Sequence, residues 1–183
     1  MTRLLLALTL LGAAAGANAK DWTVDPAASN LGFSGTYQGE KFGGKFGKFE
    51  AAISFDPADL AGSKFDVSID ITSLKTGNND YDEQVKAPEF FDFKKFPKAR
   101  FVTSAFREGD NGLVADGTLT IRDKTKPVQL KVTFKPTAAG ATLDVETTLK
   151  RLDFDVGTGD WADTSTIGND VPVTAHLDLK PKG

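Results

Sequence analysis

The chain has 183 residues, 40% of them hydrophobic, which allows one domain with a substantial core and excludes a disordered or collagen-like chain. It contains no cysteine, so disulfides and a thiol nucleophile are both excluded. With 22 Lys and Arg against 25 Asp and Glu the formal charge is −3, and this mildly acidic balance argues against nucleic-acid binding, whose usual footprint is a basic stripe.

Arg3, the apolar residues 4–11 and the Ala17-Asn18-Ala19 sequence before Lys20 predict an export leader, residues 1–19, cleaved after Ala19. The apolar run is too short for a stable membrane span. With no cysteine at the cleavage point a lipid anchor is not expected, so residues 20–183 are read as one exported, periplasmic domain. Losing Arg3 makes that domain one unit more acidic.

Leu31 and Phe33 alternate with small or polar neighbours, and Pro26 interrupts the run, so the domain opens on a strand with a break. Residues 43–55 begin with Gly43, Gly44 and Gly47 and settle into Phe49, Ala51, Ile53 and Phe55 on one face. That predicts a half-buried strand whose glycines allow the bend of a closing sheet. Asp56 to Asp59, with Gly62, reads as a loop. Phe65, Val67, Ile69 and Ile71 then alternate with Asp66, Ser68 and Asp70, a strand with one face in a core.

The β pattern is interrupted over residues 76–101, TGNNDYDEQVKAPEFFDFKKFPKARF. Asn78 or Asn79 can cap a helix, and Asp80, Asp82 and Glu83 fall in its first turns, where carboxylates favour the positive end of the helix dipole. Tyr81 and Val85, four apart, share a face. Ala87 precedes Pro88, which ends the helix, and Pro88 can open a second turn carrying Phe90 and Phe91. A short helical insertion over residues 78–92 is expected. On residue types alone Phe90 and Phe91 read as a plug in a barrel end, with a lid or brace as the alternatives.

Strands resume with Phe101, Thr103 and Ala105 alternating against Val102 and Ser104. Leu113, Ala115, Leu119 and Ile121 follow, inward against Asp116, Thr118 and Thr120. Asp123-Lys124 is a short turn, and Pro127 opens a strand with Val128, Leu130, Val132 and Phe134 inward, completing a hairpin. After a turn at residues 136–140, Leu143, Val145, Thr147 and Leu149 share a face. A polar loop at residues 157–169 holds Trp161. Val171, Val173, Ala175, Leu177 and Leu179 then alternate with polar residues.

About eight one-faced strands joined by short turns, with no βαβ unit, predict an all-β protein. A single sheet of that size is best closed as an antiparallel barrel, although a two-sheet sandwich has the same local signature. An eight-stranded barrel is just wide enough to be filled by side chains or to hold one small ligand.

Catalytic constellations are missing from the sequence. The one histidine, His176, falls on the polar face of its strand, and no nucleophile elbow, zinc-protease or phosphate-loop motif occurs. Asp153, Asp155, Asp160, Asp163 and Asp170 do not follow the spacing of an EF-hand and read as a solvated acidic loop. Arg151 could meet a polar ligand head or form a surface ion pair. Trp22 and Trp161 could cover a barrel opening or pack in the core or at its rim. No enzymatic activity, catalytic cofactor or metal site is therefore expected.

The insertion resembles the central motif of the YceI family, exported bacterial proteins with a lipocalin-like barrel that bind polyisoprenoid or similar long-chain lipids. LTIRDKTKPVQLKVTF at 119–134 resembles that family's second motif and RLDFDVG at 151–157 its third, so the resemblance covers essentially the whole mature chain. The family often has histidine where Gln84 stands, glycine where Asp123 stands and an acidic residue where Asn169 stands. Asp123 still suits a tight turn.

The resemblance implies an eight-stranded lipocalin-like barrel with an apolar tunnel for a long isoprenoid lipid such as ubiquinone, and a periplasmic carrier; the family includes homodimers. A fatty acid or fatty amide is the alternative ligand. A filled barrel acting through its surface in a stress response is the alternative of another class. The expected tunnel wall draws on Leu31 and Phe33, Phe49 and Ile53, then Val67, Ile69 and Ile71. The insertion would add Val85, Phe90 and Phe91. The later strands would add Phe101, Leu119 and Ile121, Val132 and Phe134, and finally Leu149, Phe154 and Val173.

Overall fold

Alternating sequence becomes extended backbone almost everywhere in the computed structural model, which describes residues 18–110 and 112–182. The expected export leader, residues 1–19, lies outside the described residues except for Asn18 and Ala19. The strands are β1 (Lys20–Val24), β2 (Asn30–Tyr37), β3 (Glu40–Phe46), β4 (Phe49–Phe55), β5 (Lys64–Asp70), β6 (Leu74–Lys75), β7 (Lys98–Gly109), β8 (Gly112–Ile121), β9 (Lys124–Pro136), β10 (Ala141–Lys150) and β11 (Asp170–Pro181). One short helix, α1 (Asn79–Gln84), stands between β6 and β7.

All pairings between these strands are antiparallel, and the sheet closes on itself. β1 pairs with β4 on one side and β11 on the other, completing the ring β1-β4-β5-β7-β8-β9-β10-β11. Eight staves thus form a barrel and leave the ring no open edge. The first two staves are each broken in two: β1 and β2 both run along β11, while β3 pairs with β2 and β4 with β1.

Pro26 accounts for the first break, because it lacks the N–H that a ladder needs. The gap is held by the Asp25 N–H donating to the Asp178 carbonyl at 2.8 Å, the Asp178 N–H donating to Ser29 Oγ at 3.0 Å, and a Lys180–Asp25 ion pair at 2.7 Å. Gly47 and Lys48 mark the second break, where their N–H groups bond to the carbonyl and hydroxyl of Ser73.

Four local expectations need correction. Ile71 is buried, but it opens a 3-10 turn (Ile71–Ser73) instead of continuing β5, because Asp70 caps the turn by accepting from the Thr72 N–H. A bulge between Thr103 and Ala105 reverses the alternation of β7. Phe101 and Phe106 are therefore both buried, and Ala105 is exposed. The β8–β9 turn is made by Arg122-Asp123 instead of Asp123-Lys124, and Arg122 takes a positive φ, 56°. Finally, β9 begins at Lys124, with Pro127 inside it opposite Thr118 and exposed.

The barrel core is heavily aromatic. At one end Phe55 stacks on Phe65, Phe106 and Phe134, with ring centroids 5.7, 5.3 and 5.1 Å apart, and Trp22 closes the cluster against Phe134 while its indole N–H donates to the Phe55 carbonyl. Such pairs contribute about 0.5–1.5 kcal/mol each beyond the area they bury. This end of the barrel is filled.

Candidate functional site

Towards the other end, the inward residues do not meet across the barrel. They enclose a partly open cavity of about 460 Å3 whose wall is almost entirely apolar. That volume and lining are those of a small-molecule binding site. Phe65 belongs to both regions, with one side in the aromatic cluster and the other bordering the cavity.

Of the eighteen expected wall residues, sixteen border this cavity. Leu31, Phe33, Phe49, Ile53, Val67 and Ile69 do so from the first staves, and Ile71 from its 3-10 turn. Val85, Phe90 and Phe91 come from the insertion. Phe101, Leu119, Ile121, Leu149, Phe154 and Val173 complete the set. Val132 and Phe134 do not border it. Both point inward as their period predicts, but at the filled end, where Phe134 packs on Phe55 and Trp22. Period 2 separates inside from outside and carries no information on height along the barrel axis.

The insertion forms the rim. Asn78 caps α1, its side chain accepting from the N–H groups of Asp80 and Tyr81, and the helix is only six residues long. Turns replace the rest of the expected helical segment, beginning with the Phe90 N–H donating to the Ala87 carbonyl. Pro88 enforces this by denying Ala87 the helical conformation. The turns are pinned from outside: Arg122 Nη1 donates to the carbonyls of Phe90 and Asp155, and the Glu89 carbonyl accepts from the N–H groups of Gly157 and Thr158. Phe90 then meets Trp161 at 5.7 Å, so the loop between β10 and β11 forms the facing rim.

An aromatic group beside α1 is legible only in hindsight. Tyr81 packs edge-on against Tyr37 at 5.9 Å and Phe42 at 5.6 Å, while Phe33 packs against Phe42 and Phe46. Phe42 and Phe46 lie on β3, where glycines hide the alternation. Those glycines make room for rings: a Cβ on Gly44 would stand 2.5 Å from Phe33, and one on Gly35 would stand 2.9 Å from Phe42. The signal was Phe-Gly-Gly-Lys-Phe itself, inward positions filled in turn by Phe42, Gly44 and Phe46.

Polar groups near the cavity are mostly engaged. Asp82 is buried and accepts from the Thr76 N–H at 2.7 Å and the Thr76 hydroxyl at 2.8 Å, with Lys75 at 3.2 Å. The Thr76 donors hold its carboxyl below the usual carboxylate value, and Lys75 adds to the effect. Asn78 is occupied as the cap.

Arg151 is neither a surface ion pair nor a free ligand contact. It is buried, and its donors reach the carbonyls of Gly168, Val156, Gly157, Trp161 and Ile167 at 2.6–3.1 Å. Five N–H groups thus meet five carbonyls and clamp the rim loop. Burial lowers the pKa of the guanidinium from its usual value.

The remaining candidates fall outside the cavity. His176 faces Asp144 across the outer wall, Nδ1 to Oδ1 at 2.6 Å, with no nucleophile in the arrangement. The late aspartates disperse: Asp155 pairs with Lys124, Asp170 with Lys150, and Asp163 accepts from Ser165. Among the described residues no three acidic or histidine side chains gather as a metal site would require. Of the two tryptophans, Trp161 borders the cavity and Trp22 lies at the filled end.

A family profile described as YceI-like domain matches residues 22–179. The crystal structure of BcnA from Burkholderia cenocepacia superposes with a TM-score of 0.80 at 36% identity, over 85% of this chain and 98% of that one. A polyisoprenoid binding domain from Saccharophagus degradans, implicated in plant cell wall breakdown, superposes with a TM-score of 0.66 over 89% of this chain and 99% of that one. Its 16% identity makes this a likeness of fold. A UPF0312 protein of Vibrio cholerae is 31% identical over 122 residues, 64% of this chain and 65% of that protein. The match therefore spans just under two thirds of that relative's length.

Proposed function

The chain belongs to the YceI-like domain family, and on that footing we propose that it carries a polyisoprenoid lipid, such as an isoprenoid quinone of the ubiquinone type, across the periplasm with the lipid tail in the barrel cavity. The observation that carries this reading is the division of the barrel: one end is packed with aromatic rings, while the rest keeps an apolar cavity of about 460 Å3. A barrel acting through its surface alone would have no use for that volume, and filling it would add stability.

The energetics favour a tail. Burying a five-carbon isoprene unit contributes about 4 kcal/mol at about 0.8 kcal/mol per carbon group, before the cost of immobilising the chain. A water-insoluble lipid thereby gains an aqueous carrier. An apolar wall of Val, Leu, Ile and Phe discriminates weakly between tails of similar width. The fold shared with the Saccharophagus polyisoprenoid binding domain supports the same ligand class.

Organic extraction of protein purified from its natural compartment, followed by mass spectrometry, tests the proposal. An isoprenoid lipid in near-stoichiometric amount is expected. Repeated recovery of empty protein that also takes up no quinone in vitro would overturn it.

A further inference from the structure

The wall of the cavity selects for a tail, and the charges beside it select for a head. Among the described residues two charged side chains border the cavity, Asp80 and Arg151. All five N–H donors of Arg151 already end on backbone carbonyls. An approaching anion would meet those carbonyl oxygens and find no free donor.

Asp80 has no cationic partner among the described residues, whereas its neighbours are paired, Asp82 with Lys75 and Glu83 with Lys86. The helical rim is therefore electronegative. Gln84 borders the cavity one helical turn after Asp80, half-buried, and its carboxamide has no hydrogen-bond partner among the described residues. A carboxamide can donate to a carbonyl or exchange hydrogen bonds with a hydroxyl.

We propose that the cavity takes amphiphiles whose head is uncharged and carries a carbonyl or hydroxyl oxygen, that Gln84 meets that oxygen, and that Asp80 turns away lipid anions such as isoprenoid phosphates and fatty acids. The inference rests on the lipid-carrier reading and adds the class of head group to it. Charge exclusion at a partly open rim acts through solvent and is screened by salt, so its effect is largest at low ionic strength.

The test uses two probes with one tail, geranylgeraniol and geranylgeranyl monophosphate, titrated at pH 7 and low salt into delipidated protein and followed by tryptophan fluorescence. The alcohol is expected to bind at least about tenfold more tightly than the phosphate. Asp80→Asn should narrow that gap by strengthening the phosphate alone. Gln84→Leu should weaken the alcohol about fivefold while leaving unchanged the binding of a head-free hydrocarbon of the same length. Phosphate bound as tightly as the alcohol by the wild-type protein would overturn the proposal and leave the lipid reading standing. Failure of both probes to bind would overturn the two together.

Discussion

The two ends of this barrel are built from the same staves and treat their interior in opposite ways. At one end Phe106 and Phe134 both meet Phe55 inside the barrel, and the small residues Ala115 and Ala141 are buried in the same core. At the other, Phe33 and Phe42 lie against Gly44 and Gly35 on neighbouring staves, Phe46 packs on Phe33, and all three line the wall of the cavity. Eight strands permit either outcome. What separates them is whether large side chains face each other or are laid over glycine, and whether the rim is closed by strand pairing or by an insertion.

The sharpest way to break this contrast is to empty the filled end. Phe55→Ala removes a fully buried ring and should cost about 3–5 kcal/mol in urea unfolding, with binding of an isoprenoid alcohol unchanged in whatever folded protein remains. Phe91→Ala removes a half-buried ring bordering the cavity and should cost about 1 kcal/mol, because less surface returns to water. Similar costs at the two positions would mean that the hollow end is packed after all.

Arg151→Met comes next. It leaves five carbonyls without their donor and should destabilise the chain by about 3 kcal/mol, with protease sensitivity rising first in residues 156–168. Gly44→Ala should cost about 1–3 kcal/mol by pressing a methyl group onto the Phe33 ring, and it should weaken uptake by displacing that ring into the cavity.

The smallest effect concerns acid. Because the Asp82 carboxyl is held below its ordinary value in the folded protein, its contribution is complete above the unfolded value, about 4, and is lost as pH falls through the folded one. The melting temperature should therefore fall between pH 7 and pH 3 by more in the wild-type protein than in Asp82→Asn. Equal falls would mean that Asp82 does not tie the rim.

Much of the filled end was legible in the sequence, because alternating strands announce which side faces in. The break at Pro26 and a cap at Asn78 or Asn79, which the structure gives to Asn78, were legible too, since each depends on local chemistry alone. Height along the axis was not, which is why Val132 and Phe134 were expected on the tunnel wall and stand in the plug. The bulge at Thr103/Ala105 was hidden because one extra residue reverses a pattern without marking itself. Arg151 was misjudged because its partners are backbone carbonyls brought together only by the fold. Glycines concealed β3, although their positions across from Phe33 and Phe42 create the hollow end.

The most direct test of a lipid-holding hollow end is calorimetric titration of geranylgeraniol into the delipidated wild-type protein and into Val173→Trp, which fills the cavity from β11 and leaves the plugged end intact. Wild-type binding with a negative heat-capacity change, lost in a variant that stays folded, is the expected result. Equal uptake by the filled variant would place the lipid elsewhere and contradict it.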